Sequence, residues 1–278
     1  MTSSRPAKRF WSNLGVRAVS AIVLAALTIA AVWFGGPLFL LVLAVSTALL
    51  AIEWSGMSAA RAPLRVSLTI MVGILAALFA AYLGHYYTAW VLVAVAALVA
   101  GLVARGVAER PELAAYGVVY LAPAIIALWW LRDDSANGRG WTTLLLAVTW
   151  AADIGAFVVG SWLKGPKLWP RLSPKKTWAG FLGGLAFAVV AAVLVRQVSS
   201  LREVSGDVTL PIAAGIGLAG GLATMAGDLW ESMLKRRFGV KDSGDLIPGH
   251  GGLMDRVDGL MFAIMAVAAI HLMIQHLL

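Results

Sequence analysis

Nine apolar stretches constrain this chain more than any other feature. They cover approximately residues 17–34, 37–53, 66–83, 89–104, 114–131, 142–162, 179–195, 209–230 and 257–277. Each approaches the ~20 helical residues needed to cross a hydrocarbon core about 30 Å thick. Hydrophobic residues make up 60% of the chain and charged residues only 13%. A soluble domain could not bury that much apolar surface, so lipid is the solvent for most of the chain. The expected fold is an all-α integral membrane protein, multi-pass, with about nine transmembrane helices. There is no cysteine, which removes disulfides and thiolate metal sites from consideration.

The first stretch follows Arg5, Lys8, Arg9 and Arg17 and so resembles a signal peptide. It is long for one and eight more follow, so it reads as a retained helix. The net charge of +8 reports topology here, and no nucleic-acid partner is expected. With the N-terminus cytoplasmic, all of the 22 lysines and arginines except Arg132, Arg139, Arg196 and Arg202 fall on the inner side, as the positive-inside rule requires. An odd number of crossings then puts the C-terminus on the opposite side. Both heavily charged loops face the cytoplasm, where nucleotides are found. In a bacterium this would be the inner membrane.

The chain divides by composition into a scaffold half, 1–140, with about five crossings, and a catalytic half, 141–278, with about four crossings and two charged loops. In the first half Glu53 ends the second stretch and reads as an interfacial charge. In the second half two carboxylates fall inside apolar stretches: Asp153 (W-A-A-D-I-G) and Asp228 (M-A-G-D-L-W). An ionised Asp at the centre of a membrane helix costs roughly 2.5–3.5 kcal/mol on insertion scales, so such residues are paired or used. Gly217 and Gly221 form a G-x-x-x-G step, which allows a neighbouring helix to approach closely.

The densest polar run lies between the last two stretches, from Ser232 to Asp258: S-M-L-K-R-R-F-G-V-K-D-S-G-D-L-I-P-G-H-G-G-L-M-D-R-V-D. Asp255 and Asp258, three residues apart, share a helical face, and Asp228 can meet them from the neighbouring helix. Three carboxylates suit a hard cation such as Mg²⁺, with Asp153 as a further candidate ligand. Zinc is disfavoured by the lack of Cys and of paired His. Lys235, Arg236, Lys241 and Arg256 flank the acids, a pattern fitted to a metal-bound polyphosphate. The turn Pro248-Gly249-His250-Gly251-Gly252 offers free backbone N–H groups to an anion. His85, His271 and His276 read as bystanders. The other loop carries Ser173-Pro174-Lys175-Lys176-Thr177, with hydroxyls and ammonium groups for phosphate.

This run resembles the signature of phosphatidate cytidylyltransferases, the CDP-diacylglycerol synthases. The family pattern is matched by Ser232, Lys235, Arg236, Lys241, Asp242, His250, Gly251, Gly252, Asp255, Arg256 and Asp258. Asp153-Ile154-Gly155, Ser173–Thr177 and Gly227-Asp228 match family segments upstream, although Ile154 and Ala179 depart from the usual residues. The resemblance covers roughly 141–278 and implies transfer of CMP from CTP to phosphatidic acid, yielding CDP-diacylglycerol and pyrophosphate. It implies Asp228, Asp255, Asp258, Lys235 and Arg256 as catalytic residues, with the three Asp as ligands of Mg²⁺. Ser173, Lys175, Lys176, Ser232, Arg236, Lys241, Asp242, His250, Gly251 and Gly252 would bind substrate. A second cation is compatible with the pattern, and the N-terminal half, apolar well beyond what a single site needs, is compatible with a homodimer. Two rival classes remain: a transporter with Asp153 and Asp228 on an ion path, and a CTP-dependent polyprenol kinase. Neither requires the full signature.

Overall fold

The computed structural model describes residues 5–106, 110–135, 137–170, 172–198, 208–248 and 251–277, with side chains from 15 to 276. The elements in chain order are α1 (Arg5–Phe34), α2 (Gly36–Ser58), α3 (Pro63–Tyr82), α4 (Tyr86–Ala104) and α5 (Glu112–Trp129), which continues into a π-turn at Trp130–Asp134. Then follow α6 (Gly138–Leu163), β1 (Lys167–Trp169), β2 (Ser173–Thr177), α7 (Trp178–Gln197), α8 (Leu210–Arg237) and α9 (Met254–Leu277). Among the described residues nine helices are long and apolar enough to cross a membrane, as the hydropathy pattern predicts.

The helix starts follow local chemistry. Proline occupies the first turn of α2, α3 and α8, where its missing N–H costs nothing. Thr177 caps α7, its Oγ1 accepting from the Gly180 N–H at 3.1 Å. Inside the apolar helices, the buried hydroxyls of Thr47, Thr142, Thr149 and Thr224 each donate to the carbonyl four residues earlier at 2.8–2.9 Å. No polar atom of theirs is left facing lipid.

Helices α2–α5 pack on one another, as do α6–α9, and α5 bridges to α9. Trp54 is wholly buried between the groups. Its indole N–H donates to the Leu113 carbonyl at 2.8 Å, its ring meets Tyr116, Tyr120 and Phe238, and Gly117 leaves room for it. The glycine step behaves as expected. A Cβ on Gly217 would lie 2.7 Å from the Val189 backbone, and one on Gly221 2.9 Å from Ala188, so α7 and α8 touch backbone to backbone.

Helix α1 is the outlier, exposing Val16, Val19, Ile22, Val23 and Phe34 along its length. It is fastened at both ends. Arg132 donates to the carbonyls of Val32 (2.5 Å) and Trp33 (3.2 Å) at one, and Ser20 Oγ lies 3.0 Å from the Pro248 carbonyl oxygen at the other.

Two elements differ from the expectation. The loop after α6 folds into a short antiparallel hairpin pairing Lys167 with Thr177 and Trp169 with Ser173. The eighth helix does not stop near residue 230 but runs to Arg237. Its charged end can stay helical because Lys235 turns back onto Glu231, one turn earlier.

Candidate active site

The extension of α8 places Asp228, Glu231 and Lys235 along one stripe at spacings of three and four. Lys235 Nζ sits 2.6 Å from Glu231 Oε2 and 2.5 Å from Asp255 Oδ1, so α8 and α9 are joined by one ammonium between two carboxylates. The other oxygen of Asp255 accepts from the Ser243 N–H (3.1 Å), the Gly252 N–H (3.1 Å) and lies 3.0 Å from Ser243 Oγ. Asp255 is therefore fully engaged. Asp258, one turn on, faces a different set of groups and feels the charges of Asp228, Glu231 and Asp153. Close approach here depends on glycine: a Cβ on Gly227 would run into the Asp258 carbonyl, and one on Gly259 would lie 2.7 Å from Thr224.

Asp228 forms an ion pair with Lys176 of β2. This pair lines a cavity of about 410 Å³ whose walls also include Ala156, Phe157, Leu168, Phe181, Met225 and Leu229, together with Asp153 and Lys175. A second cavity, about 670 Å³, is polar and is lined by Arg17, Lys175, Lys241, Asp242, Asp245, Ile247, Gly251 and Arg256. Four cations there face two carboxylates, a surplus suited to a polyphosphate. Lys175 lines both cavities, so the apolar and the polar spaces meet at the hairpin. Gly251 has φ +82° in the wall of the polar one, the left-handed backbone that glycine adopts without strain.

The carboxylates suit a hard cation in their chemistry. Asp153, Asp228 and Asp258 come from three different helices, α6, α8 and α9, and act on one another electrostatically. They are an oxygen-only set, the kind Mg²⁺ takes, and an ammonium already sits on Asp228. The compact trio expected of Asp228, Asp255 and Asp258 is not formed: among the described residues no three acids or histidines converge on one ion-sized point. The reason is competition, since Lys176 and the Lys235–Ser243 pair hold Asp228 and Asp255 in different directions.

Of the residues singled out from sequence, Lys175, Lys176, Lys241, Asp242, Gly251, Arg256, Asp153 and Asp228 line the two cavities. Ser173, Ser232 and Arg236 line neither. Gly252 packs away from both, against Ser243 and Glu53. His250 lies outside the described residues.

Four residues were missed. Glu231 and Ser243 are buried beside Lys235 and Asp255, and Arg17 reaches the polar cavity from α1. Glu53, 3% exposed, accepts from the N–H groups of Leu253 (2.6 Å) and Met254 (2.7 Å), with Ser243 Oγ at 3.2 Å. The signal was available for Glu53, because a carboxylate in an apolar stretch asks for a partner just as Asp153 does.

Residues 15–274 match the model of the cytidylyltransferase family. The chain belongs to that family. Relatives named phosphatidate cytidylyltransferase from Brucella suis biovar 1 and Brucella abortus biovar 1 are each 40% identical over 253 residues, covering 91% of this chain and 91% of theirs. One of the same name from Staphylococcus aureus (strain COL) is 36% identical over 151 residues, 54% of this chain and 56% of its own. The chain is accordingly an enzyme, a nucleotidyltransferase, embedded in a membrane by multiple crossings.

Proposed function

We propose that this family member transfers CMP from CTP to phosphatidic acid, giving CDP-diacylglycerol and pyrophosphate in phospholipid synthesis. The observation that carries the reading is that an apolar and a polar cavity share Lys175 as a wall, with the Lys176–Asp228 ion pair lining the apolar one. A lipid with a phosphate head and a water-borne triphosphate need such a pair of spaces. Acyl chains lie along Phe157, Phe181 and Met225, while CTP phosphates meet Arg17, Lys175, Lys241 and Arg256. An oxygen of the lipid phosphate forms a bond to the α-phosphorus of CTP. The bond from that phosphorus to the bridging oxygen of the β-phosphate breaks, and pyrophosphate leaves with the electron pair. The lipid phosphate is the nucleophile, so no side chain has to be one.

Rate enhancement then comes from holding the two phosphates in line and neutralising the charge that develops on the leaving group. Lys176 is placed to exchange Asp228 for a phosphate oxygen, with Ser173 beside it on the same strand. Ser232, Arg236 and His250 are proposed to contact substrate as it binds. A divalent cation, Mg²⁺, would be held by Asp228 and Asp258 with Asp153 as a further ligand and would polarise the phosphate oxygens, while Asp255, occupied by Lys235, Ser243 and Gly252, would hold Lys235 beside them. The active site is proposed to face the cytoplasm, with the N-terminus on the same side and the C-terminus opposite, on the strength of the lysine and arginine asymmetry. The reaction as proposed uses residues of a single chain.

The test is pyrophosphate release from CTP by purified protein in detergent with Mg²⁺, with and without phosphatidic acid, alongside Asp255→Ala. Release that requires both lipid and metal and vanishes in the variant is the expected result. Absence of lipid-dependent release from folded wild-type protein would overturn the proposal.

A further inference from the structure

We infer that Glu53, in the scaffold half, is a positioning residue for the nucleotide side of the active site, an inference that rests on the reaction proposed above. Its carboxylate lies some 200 residues from its partners in sequence and is almost fully buried. It nevertheless receives the Leu253 and Met254 N–H groups at 2.6 and 2.7 Å. These are the N–H groups at the start of α9, which have no partner within the helix. The carboxylate therefore replaces a local cap and benefits from the helix dipole.

Two features argue that more than capping is involved. Ser243 Oγ lies 3.2 Å from Glu53 and 3.0 Å from Asp255. The one hydroxyl proton of Ser243 is within reach of both carboxylates, so the two acids compete for a single donor and lie against the same side chain. Gly252 is pressed between them: a Cβ there would run into Ser243 Oγ and lie 2.8 Å from Glu53 Oε2. Gly244 is also in contact, a Cβ on it lying 3.3 Å from Glu53 Cγ. Glu53 thus grips both ends of the segment 243–254, which carries Asp245, Ile247 and Gly251 of the polar cavity wall. It also holds the turn whose Gly252 N–H binds Asp255. Its effect should appear in the handling of CTP and in turnover, and not in the binding of phosphatidic acid, whose cavity it does not touch.

The test is Glu53→Gln, whose NH₂ cannot accept from an N–H group, beside Ser243→Ala, which removes only the shared donor. Arg132→Met serves as the comparison, because it removes two buried backbone hydrogen bonds at the other end of α1. Expected for Glu53→Gln is a fall in kcat/KM for CTP of about tenfold or more, with KM for phosphatidic acid within about twofold of wild type. Ser243→Ala should move the same parameters in the same direction. Arg132→Met should lower Tm without changing either KM. Hydrogen exchange of segment 243–254, with and without CTP, is read in parallel. Faster exchange and loss of CTP-dependent protection in Glu53→Gln support the inference even if the lipid reaction itself were not observed. Unchanged kcat, KM for CTP and exchange, with only Tm lowered, would reduce Glu53 to a structural cap and overturn it. Absence of lipid-dependent turnover in wild-type protein would count against the reaction alone.

Discussion

Replacing Lys235 by Met separates the structural from the chemical role of the most enclosed cation in the site. The ammonium, 14% exposed, is shared by Glu231, 1% exposed, and Asp255, 9% exposed. Removing one partner of a buried pair costs about 3–5 kcal/mol, because the remaining charge is left without solvent or counter-ion. The two acids are not equally dependent on it. Asp255 keeps the Ser243 N–H, Ser243 Oγ and Gly252 N–H. Glu231 has no hydrogen-bond partner of its own among the described residues beyond that ion pair. Most of the loss therefore arises at Glu231, and Glu231→Gln in the same chain should recover at least half of it. At about 2–4 °C per kcal/mol for a chain of this size, Lys235→Met should lower Tm by on the order of 10 °C. The twelve tryptophans make intrinsic fluorescence during heating in detergent a suitable assay. The double variant should regain stability without regaining pyrophosphate release. A fall of under about 2 °C in the single variant, or no recovery in the double, would refute the assignment of Lys235 as the counter-ion of Glu231.

Gly252→Ala should abolish turnover and cost about 1–3 kcal/mol from overpacking against Ser243 and Glu53, measured by Tm and pyrophosphate release together. Arg17→Gln should raise KM for CTP several-fold and leave KM for phosphatidic acid unchanged, since Arg17 lines only the polar cavity; an equal effect on both would place it elsewhere in the reaction. Chelation of divalent cations should abolish release, and Mg²⁺ should restore it. Asp258→Asn should raise the Mg²⁺ needed for half-maximal activity by about tenfold, whereas Asp255→Asn should lower activity at every Mg²⁺ concentration, as its oxygens are already engaged by Lys235, Ser243 and Gly252. Equal shifts for the two variants would return Asp255 to the ligand set on the same footing as Asp258.

Hydropathy located all nine helices because burial in lipid demands long apolar runs whatever their partners. The G-x-x-x-G contact at Gly217 and Gly221 was also legible from local spacing, and Asp228 stood out as a costly charge in an apolar stretch. The length of α8 was not legible. Hydropathy ends the apolar segment near residue 230, whereas the helix continues through Lys235 as the i+4 partner of Glu231. Glu53 was misplaced for a related reason. The apolar run ends at Glu53, where a charge looks interfacial, but α2 continues to Ser58, and Ser243, Leu253 and Met254 cover the carboxylate. That cover comes from some 200 positions away, and no local spacing encodes it. The hairpin at 167–177 is too short and too charged to have announced itself as strand.

The position of α9 has a practical consequence for anyone attaching a label. It starts at the active site and runs 24 residues outward, so at ~1.5 Å per residue its far end stands about 35 Å away. Helix α1 instead meets the site part-way along its length, with Arg17 in the polar cavity wall and Ser20 against the Pro248 carbonyl. A fluorophore or affinity handle at the end of α9 is thereby kept clear of the chemistry by a rigid spacer built into the protein. The same handle beside Arg17 on α1 would sit in the wall of the cavity proposed for the nucleotide.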